Sequence, residues 1–215
     1  VFDEICANFL TLSENRKRIK IEKNEKFFKK LFSNRIIEKL PFRLTNSQKL
    51  VLNEIDLDLK SKKRMFRILQ GDVGSGKTIV SLLAISNVIE SNYQCALMGP
   101  TEILANQHYE LAKNIFKQTN FKIAFLSGKT DSKKRKKIFE ELKNGNIDII
   151  IGTHALFQKK IEFKNLGLAI IDEQHKFGVK QRSDLAKKGG NDCDVLLMSA
   201  TPIPRTMMMS LYGDM

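Results

Sequence analysis

From Phe42 onward, short β-branched apolar runs alternate with longer amphipathic stretches, and this alternation constrains the fold more than any other feature of the chain. Strands buried on both faces read as continuous apolar runs, and parallel neighbours need a helical crossover between them. The strand candidates are FRILQ (66 to 70), CALMG (95 to 99), KIAFL (122 to 126), DIIIGT (148 to 153), LAIIDE (168 to 173) and VLLMSA (195 to 200). Stretches 77 to 91, 103 to 117, 132 to 144 and 179 to 188 carry helical spacing between them. The pattern predicts an α/β fold with a mainly parallel β-sheet flanked by helices. In an open parallel sheet the ligand crevice lies beyond the carboxyl ends of the strands. Gly71, Pro100-Thr101, Thr153-His154, Asp172-Glu173 and Ser199-Thr201 are expected to converge there, although they are scattered in sequence.

The first forty residues have another texture. ENRKRIKIEKNEKFFKKLFSNRIIEKL spaces its apolar residues roughly as a helix does, among many charges and without glycine, which predicts a helical segment ended by Pro41. Val1 is not an initiator methionine and SLYGDM carries no terminating motif, so the chain is expected to be a piece of something longer.

Within the loop GDVGSGKT the chemistry becomes specific. Gly71, four residues, then Gly76, Lys77 and Thr78 is the spacing of a phosphate-binding loop between a strand and a helix. The glycines let successive N–H groups of Gly71, Asp72, Val73, Gly74, Ser75 and Gly76 point at one anion. Lys77 adds charge toward the outer phosphates, and Thr78 offers a hydroxyl to Mg2+. Hydrolysis also needs a carboxylate near the metal and a group that positions water. LAIIDEQH supplies both, with Asp172 directed toward Mg2+ and Glu173 as the candidate base; alone, such a pair is as readily a solvated strand-to-loop turn.

Other features admit bland readings beside sharp ones. His175 is carried as a catalytic candidate, although a metal ligand, a satisfied polar residue and a sensor of a neighbouring domain all remain open. His108, His154 and His175 are placed at or near strand ends or helix starts and include no i, i+4 pair, which argues against a metal site. KTDSKKRKKIFEEL is a basic run entering a helix, where positive charge opposes the macrodipole, so it is either a solvated face or a surface for an anion. MMM at 207 to 209 reads as helix core.

Composition narrows the class. With 215 residues, 42% of them apolar, the chain can bury a substantial core. Lys and Arg number 37 against 24 acids, a formal net charge of +13, which fits either a polyanionic partner or a lysine-rich solvated surface. Cys6, Cys95 and Cys193 are far apart and form no CxxC pair, so neither a zinc site nor a disulfide framework is expected, and a reducing cytoplasm is the simplest location. No run approaches about 18 apolar residues and the amino end is acidic where a secretory signal is basic, so no membrane partner is expected.

Taken in order, these motifs resemble the superfamily 2 DNA helicases and translocases, and within them the RecG-type branch-migration helicases, over about residues 41 to 215. The resemblance implies a RecA-like P-loop NTPase domain as the first motor domain, with ATP and Mg2+ as cofactors. LPFRLTNSQ is similar to the segment in which Gln48 reads the adenine edge and Phe42 packs on its face. LQGDVGSGKT and DEQH resemble the first and second nucleotide motifs. GPTEILANQH, LSGK and GTHALFQ resemble DNA-backbone contacts, which implies Thr101, Glu102, Gln107, Gly128, Thr153 and His154; each could equally be an ordinary cap or loop residue. SATPIPRT resembles the third motif, in which Ser199 and Thr201 couple the nucleotide site to the DNA side. PIPRT is shared with transcription-repair coupling translocases, and DEQH, GTHALFQ and FGVKQR favour the RecG type. Gly99 stands where the family often has Ala.

The resemblance further implies a wedge domain ahead of this segment, with residues 1 to 40 as a helical connector, and a second RecA-like domain that supplies an arginine finger. The expected activity is ATP-dependent remodelling of branched DNA and stalled forks in a bacterial, nucleoid-associated, monomeric enzyme. By itself the segment is expected to hydrolyse ATP weakly or not at all, because the finger is worth roughly 10³ to 10⁵ in rate. The rivals are a coupling-factor translocase, a non-hydrolysing ATP-gated DNA-binding module and a small-molecule P-loop kinase.

Overall fold

The computed structural model describes residues 21–158, 160–173 and 188–200. The chain runs through α1 (Leu31–Lys39), α2 (Asn46–Lys60), β1 (Phe66–Gln70), α3 (Lys77–Glu90), β2 (Gln94–Met98), α4 (Glu102–Ile115), β3 (Ile123–Leu126), α5 (Ser132–Asn144), β4 (Ile149–Gly152), β5 (Leu166–Ile171) and β6 (Asp194–Ser199). Short 3₁₀ turns lie at His154–Phe157 and Gly190–Asp192. The strands form one sheet in the order β1-β6-β5-β2-β4-β3, and every pairing is parallel. The predicted α/β architecture is therefore observed.

Period-2 alternation explains the layering. On β6, Leu196 and Met198 join the core shared with α2, α3 and α4, whereas Val195 and Leu197 face the core shared with Ile138 and Leu142 of α5. All residues of β2, β4, β5 and β6 are buried. Helix α3 is buried at every position from Val80 to Ile89. Ser81 Oγ donates to Thr78 O at 2.8 Å and Ser86 Oγ to Leu83 O at 2.7 Å, while Asn87 Nδ2 donates to Asp56 Oδ1 of α2 at 2.8 Å and its Oδ1 has no hydrogen-bond partner among the described residues. A helix so enclosed is a rigid base for the loop at its amino end.

The amino-terminal expectation needs correction. Residues 21 to 30 are not helical; Glu22 bridges antiparallel to Lys63, and the first helix among the described residues begins at Leu31. The cause is tertiary. Lys23 Nζ and Lys26 Nζ donate to Asp194 Oδ2 at 2.6 and 2.7 Å, with all three side chains fully buried, and Asp194 Oδ1 accepts Met65 N–H at 2.6 Å. Burial pulls the Lys23 ammonium below its ordinary pKa against the opposing pull of Asp194. The clamp fixes the extended segment across the amino end of β6, and Phe28 and Ile36 continue into the main core. Helix α2, which the hydrophobic pattern did not mark, opens with a capping box: Gln48 N–H donates to Thr45 Oγ1 and Thr45 N–H to Gln48 Oε1.

Outside the described residues lie residues 1 to 20 of the predicted helical connector, the predicted helix over 179 to 188 apart from Lys188, the methionines at 207 to 209, and the sites His175 and Thr201.

Candidate nucleotide and nucleic-acid site

Four backbone bonds extend the ladders past the strand ends and fix the carboxyl edge of the sheet. Gly71 N–H reaches Ser199 O at 3.2 Å, Asp172 N–H reaches Met98 O at 2.9 Å, Gly99 N–H reaches Gly152 O at 2.9 Å and Thr153 N–H reaches Leu126 O at 3.2 Å. The edge divides by strand order. The ends of β1, β6 and β5 carry Gly71, Ser199 and Asp172; those of β2, β4 and β3 lead to Thr101, Thr153 and Gly128.

In the first half, the loop after β1 turns back on itself before α3. Gly74 and Gly76 have φ of 82° and 84°, a left-handed conformation that L side chains resist, and Gly76 is the N-cap of α3. Lys77 Nζ donates to Gly71 O at 2.6 Å and Asp72 O at 2.8 Å, so its ammonium lies inside the curve of the loop. Asp72, Val73, Gly74 and Ser75 are exposed on the outer rim. Gln48 Nε2 donates to Ser75 O at 2.8 Å and ties α2 to the loop. With its oxygen on Thr45, Gln48 retains one N–H and one lone pair for a base edge. Phe42, 46% exposed, lines a cavity of about 650 Å³ together with Ile79 from the first turn of α3.

Asp172 and Glu173 follow β5, two strand spacings from β1 across β6, or about 10 Å. Lys77 and Asp172 thus share one edge, and Ser199, fully buried, lies on the strand between them. Asp172 is 8% exposed and both its oxygens are held: Oδ1 accepts Glu173 N–H at 3.0 Å, and Oδ2 lies 2.8 Å from His108 Nε2. Glu173 has φ 48°, a left-handed turn rare for a non-glycine residue and one that costs about 1 kcal/mol or more. Thr78 and Asp172 offer hard oxygen donors of the kind Mg2+ selects, and Mg2+ is commonly held by one or two such groups plus substrate phosphates. Among the described residues no cluster of His, Cys, Asp or Glu could hold a metal by itself. Thr78 and Asp172 are the residues on this edge that would hold Mg2+ together with substrate phosphates.

The second half is organised by α4 and the turn after β3. Thr101 caps α4 by accepting Leu104 N–H at 3.3 Å, as the plain reading of that residue anticipated. Glu102 accepts Ser127 Oγ–H at 3.3 Å and pairs with Lys129 Nζ at 3.5 Å. Arg135 Nη2 donates to the carbonyls of Ser127, Gly128 and Thr130 at 3.3, 3.0 and 3.2 Å and so shapes the turn bearing Gly128. Thr101, Gln107, Gly128 and His154 are exposed. Thr153 is 4% exposed, and its Oγ1 has no hydrogen-bond partner among the described residues. Lys133 and Lys134, both exposed, follow the turn; the dipole conflict expected of that basic run is relieved by Asp131, which accepts their N–H groups at 2.8 and 3.3 Å.

Two contributors escaped sequence reasoning. His108 lies in the middle of α4 rather than at an element end, and nothing in its neighbourhood signals a partner 64 residues away. Arg135 is one basic residue in a basic run, and only its three carbonyl acceptors set it apart. Gly99 has a steric reason: a Cβ there would come within 2.9 Å of Ala105 N, so the bare backbone lets α4 begin close to β2.

Comparison with known proteins adds the following. Residues 25–209 match the family model described as DEAD/DEAH box helicase. The chain is 48% identical over 222 residues to the ATP-dependent DNA helicase RecG of Aquifex aeolicus (strain VF5), covering 100% of this chain and 27% of that protein. It is 52% identical over 188 residues to the RecG of Bacillus subtilis (strain 168), covering 86% of this chain and 27% of that one. A solved structure of RecG bound to a three-way DNA junction superposes with a TM-score of 0.81 at 46% identity, covering 94% of this chain and 27% of that one. The DEAD-box helicase Mss116 bound to single-stranded RNA shares the fold, with a TM-score of 0.66 at 21% identity, covering 84% of this chain and 40% of that one. The chain spans about a quarter of the length of the curated relatives it matches.

Proposed function

Given that the chain belongs to the DEAD/DEAH box helicase family, we propose that it is the first RecA-like, ATP-binding motor domain of a DNA helicase that acts on branched DNA and stalled forks. The observation that carries this reading is the shared carboxyl edge, where the phosphate loop and the Asp172-Glu173 pair flank one strand.

The residues divide the work as follows. Gly71 to Gly76 present backbone N–H groups to the phosphates, and Lys77 supplies positive charge in place of its present carbonyl contacts. Thr78 and Asp172 hold Mg2+, which when bound neutralises phosphate charge. Glu173, held at φ 48°, orients and deprotonates the attacking water. Gln48 and Phe42 receive the adenine. His175 joins the catalytic group, and Ser199 and Thr201 couple it to the DNA side. Thr101, Glu102, Gln107, Gly128, Thr153 and His154 follow a DNA backbone, aided by the exposed lysines beside Gly128. The wedge domain, the second RecA-like domain and the DNA are the partners, in a monomeric cytoplasmic enzyme. The residue 1–40 stretch is the connector to the wedge. Among the described residues no helix is long and apolar enough to cross a membrane.

The test uses the full-length protein with Mg-ATP and a three-way DNA junction. Wild type is expected to hydrolyse ATP faster with the junction, whereas Glu173→Gln abolishes turnover and retains nucleotide binding. Undiminished turnover in that variant refutes the assignment, and no junction stimulation of the wild type refutes the substrate class.

A further inference from the structure

One side chain crosses between the two halves of the carboxyl edge. His108, 8% exposed, belongs to α4, yet its Nε2 lies 2.8 Å from Oδ2 of Asp172 beyond β5. An ionised carboxylate offers only lone pairs, so the ring Nε2–H is the donor. With Glu173 N–H on Oδ1, the directions of the remaining lone pairs follow from where α4 sits. Helix α4 begins at Glu102, which is tied to Ser127 and Lys129 of the turn bearing Gly128. Six residues of helix, about 9 Å, separate Glu102 from His108, a rigid link from that turn to the carboxylate.

We propose that His108 is a positioning residue through which occupancy of the β2-β4-β3 half by a DNA backbone is transmitted to Asp172. The inference rests on the function proposed above and deepens it by naming the contact that couples the two ligands. A strand engaging Thr101, Glu102 and Gly128 sets the position of α4, His108 moves with it, and the carboxylate is re-aimed toward the nucleotide. Coupling of this kind is reciprocal: the factor by which DNA changes nucleotide-metal affinity is the factor by which nucleotide and metal change DNA affinity. Removal of His108 therefore reduces both factors together. A ligand-orienting partner of this type is worth on the order of 10- to 100-fold in metal affinity or activity.

The test compares full-length wild type with H108A and H108Q, the second of which retains an N–H donor on a side chain of similar reach. Mn2+ affinity of the ADP complex is measured by electron paramagnetic resonance with and without a three-way junction. Junction affinity is measured with and without Mn2+ and ADP, and ATPase kcat and KM at saturating junction. H108A is expected to bring both coupling factors to within about twofold of unity and to lower kcat about tenfold, with KM for ATP and junction affinity without nucleotide little changed. H108Q is expected to restore coupling. If H108A does not fold, H108N, too short to reach Asp172, replaces it in the same measurements. Coupling retained by the variant that lacks the contact overturns the inference, as does a folded H108Q that loses as much as H108A. A wild type whose hydrolysis is stimulated by DNA but whose Mn2+ affinity is indifferent to it also overturns the inference while leaving the function standing. A wild type without any junction stimulation overturns the function itself.

Discussion

Replacing Asp194 by Asn tests whether the buried clamp, rather than helix propensity, sets the path of residues 21 to 30. The carboxylate receives two ammonium groups on Oδ2 and Met65 N–H on Oδ1, and the Lys23, Lys26 and Asp194 side chains are 0% exposed. Asparagine preserves shape and the Oδ1 acceptor, but its amide presents hydrogens to two buried cations. Breaking a buried pair costs about 3–5 kcal/mol because an uncompensated charge remains. Against a typical domain stability of about 5–15 kcal/mol this is about a fifth or more of the total. With a urea m-value near 2 kcal/mol/M, the unfolding midpoint should fall by about 2 M. Circular dichroism during urea titration measures it, and hydrogen exchange at Lys23 N–H and Lys26 N–H, bonded to Lys62 O and Leu59 O, reports local release of the segment. The triple change Lys23→Met, Lys26→Met, Asp194→Leu should recover most of the loss, since apolar replacement of a buried ion cluster is often neutral or better. A loss under about 1 kcal/mol for Asp194→Asn, without faster exchange, refutes the reasoning.

Two other outcomes follow from the geometry. Gln48→Ala removes half of the α2 capping box and the bond to Ser75 O, so stability should fall by about 1 kcal/mol and nucleotide affinity about 2- to 10-fold; an unchanged Kd for a fluorescent ADP analogue would show that the loop does not depend on α2. Burial raises the Cys95 thiol well above its ordinary pKa and pushes that of Cys193 up to about 12. Above about pH 9 the unfolded chain loses these protons while the folded chain keeps them, so stability present below pH 9 declines by about 1.4 kcal/mol per pH unit for each thiol. Cys193→Ala should flatten the alkaline limb of the unfolding curve between about pH 9 and 12, and an unaltered slope would contradict the burial argument.

What the sequence determined by itself was local or periodic. Continuous apolar runs announced buried parallel strands, and all the described strand candidates proved to be strands, with ends shifted by a residue or two. GDVGSGKT prescribed its own turn, because positive φ at Gly74 and Gly76 is a demand on residue type rather than on surroundings. DEQH, GTHALFQ and FGVKQR were specific enough to carry the RecG-type resemblance that the relatives bear out. Tertiary structure alone decided the rest. Residues 21 to 30 have helical spacing, yet two lysines gain more from a distant carboxylate than the segment gains from helix formation. His108 carries no signal because its partner comes from another strand end, and the order β5-β2 that brings them together is written in no local pattern. Propensity acts over a few residues, whereas a buried charge finds its partner across the whole fold.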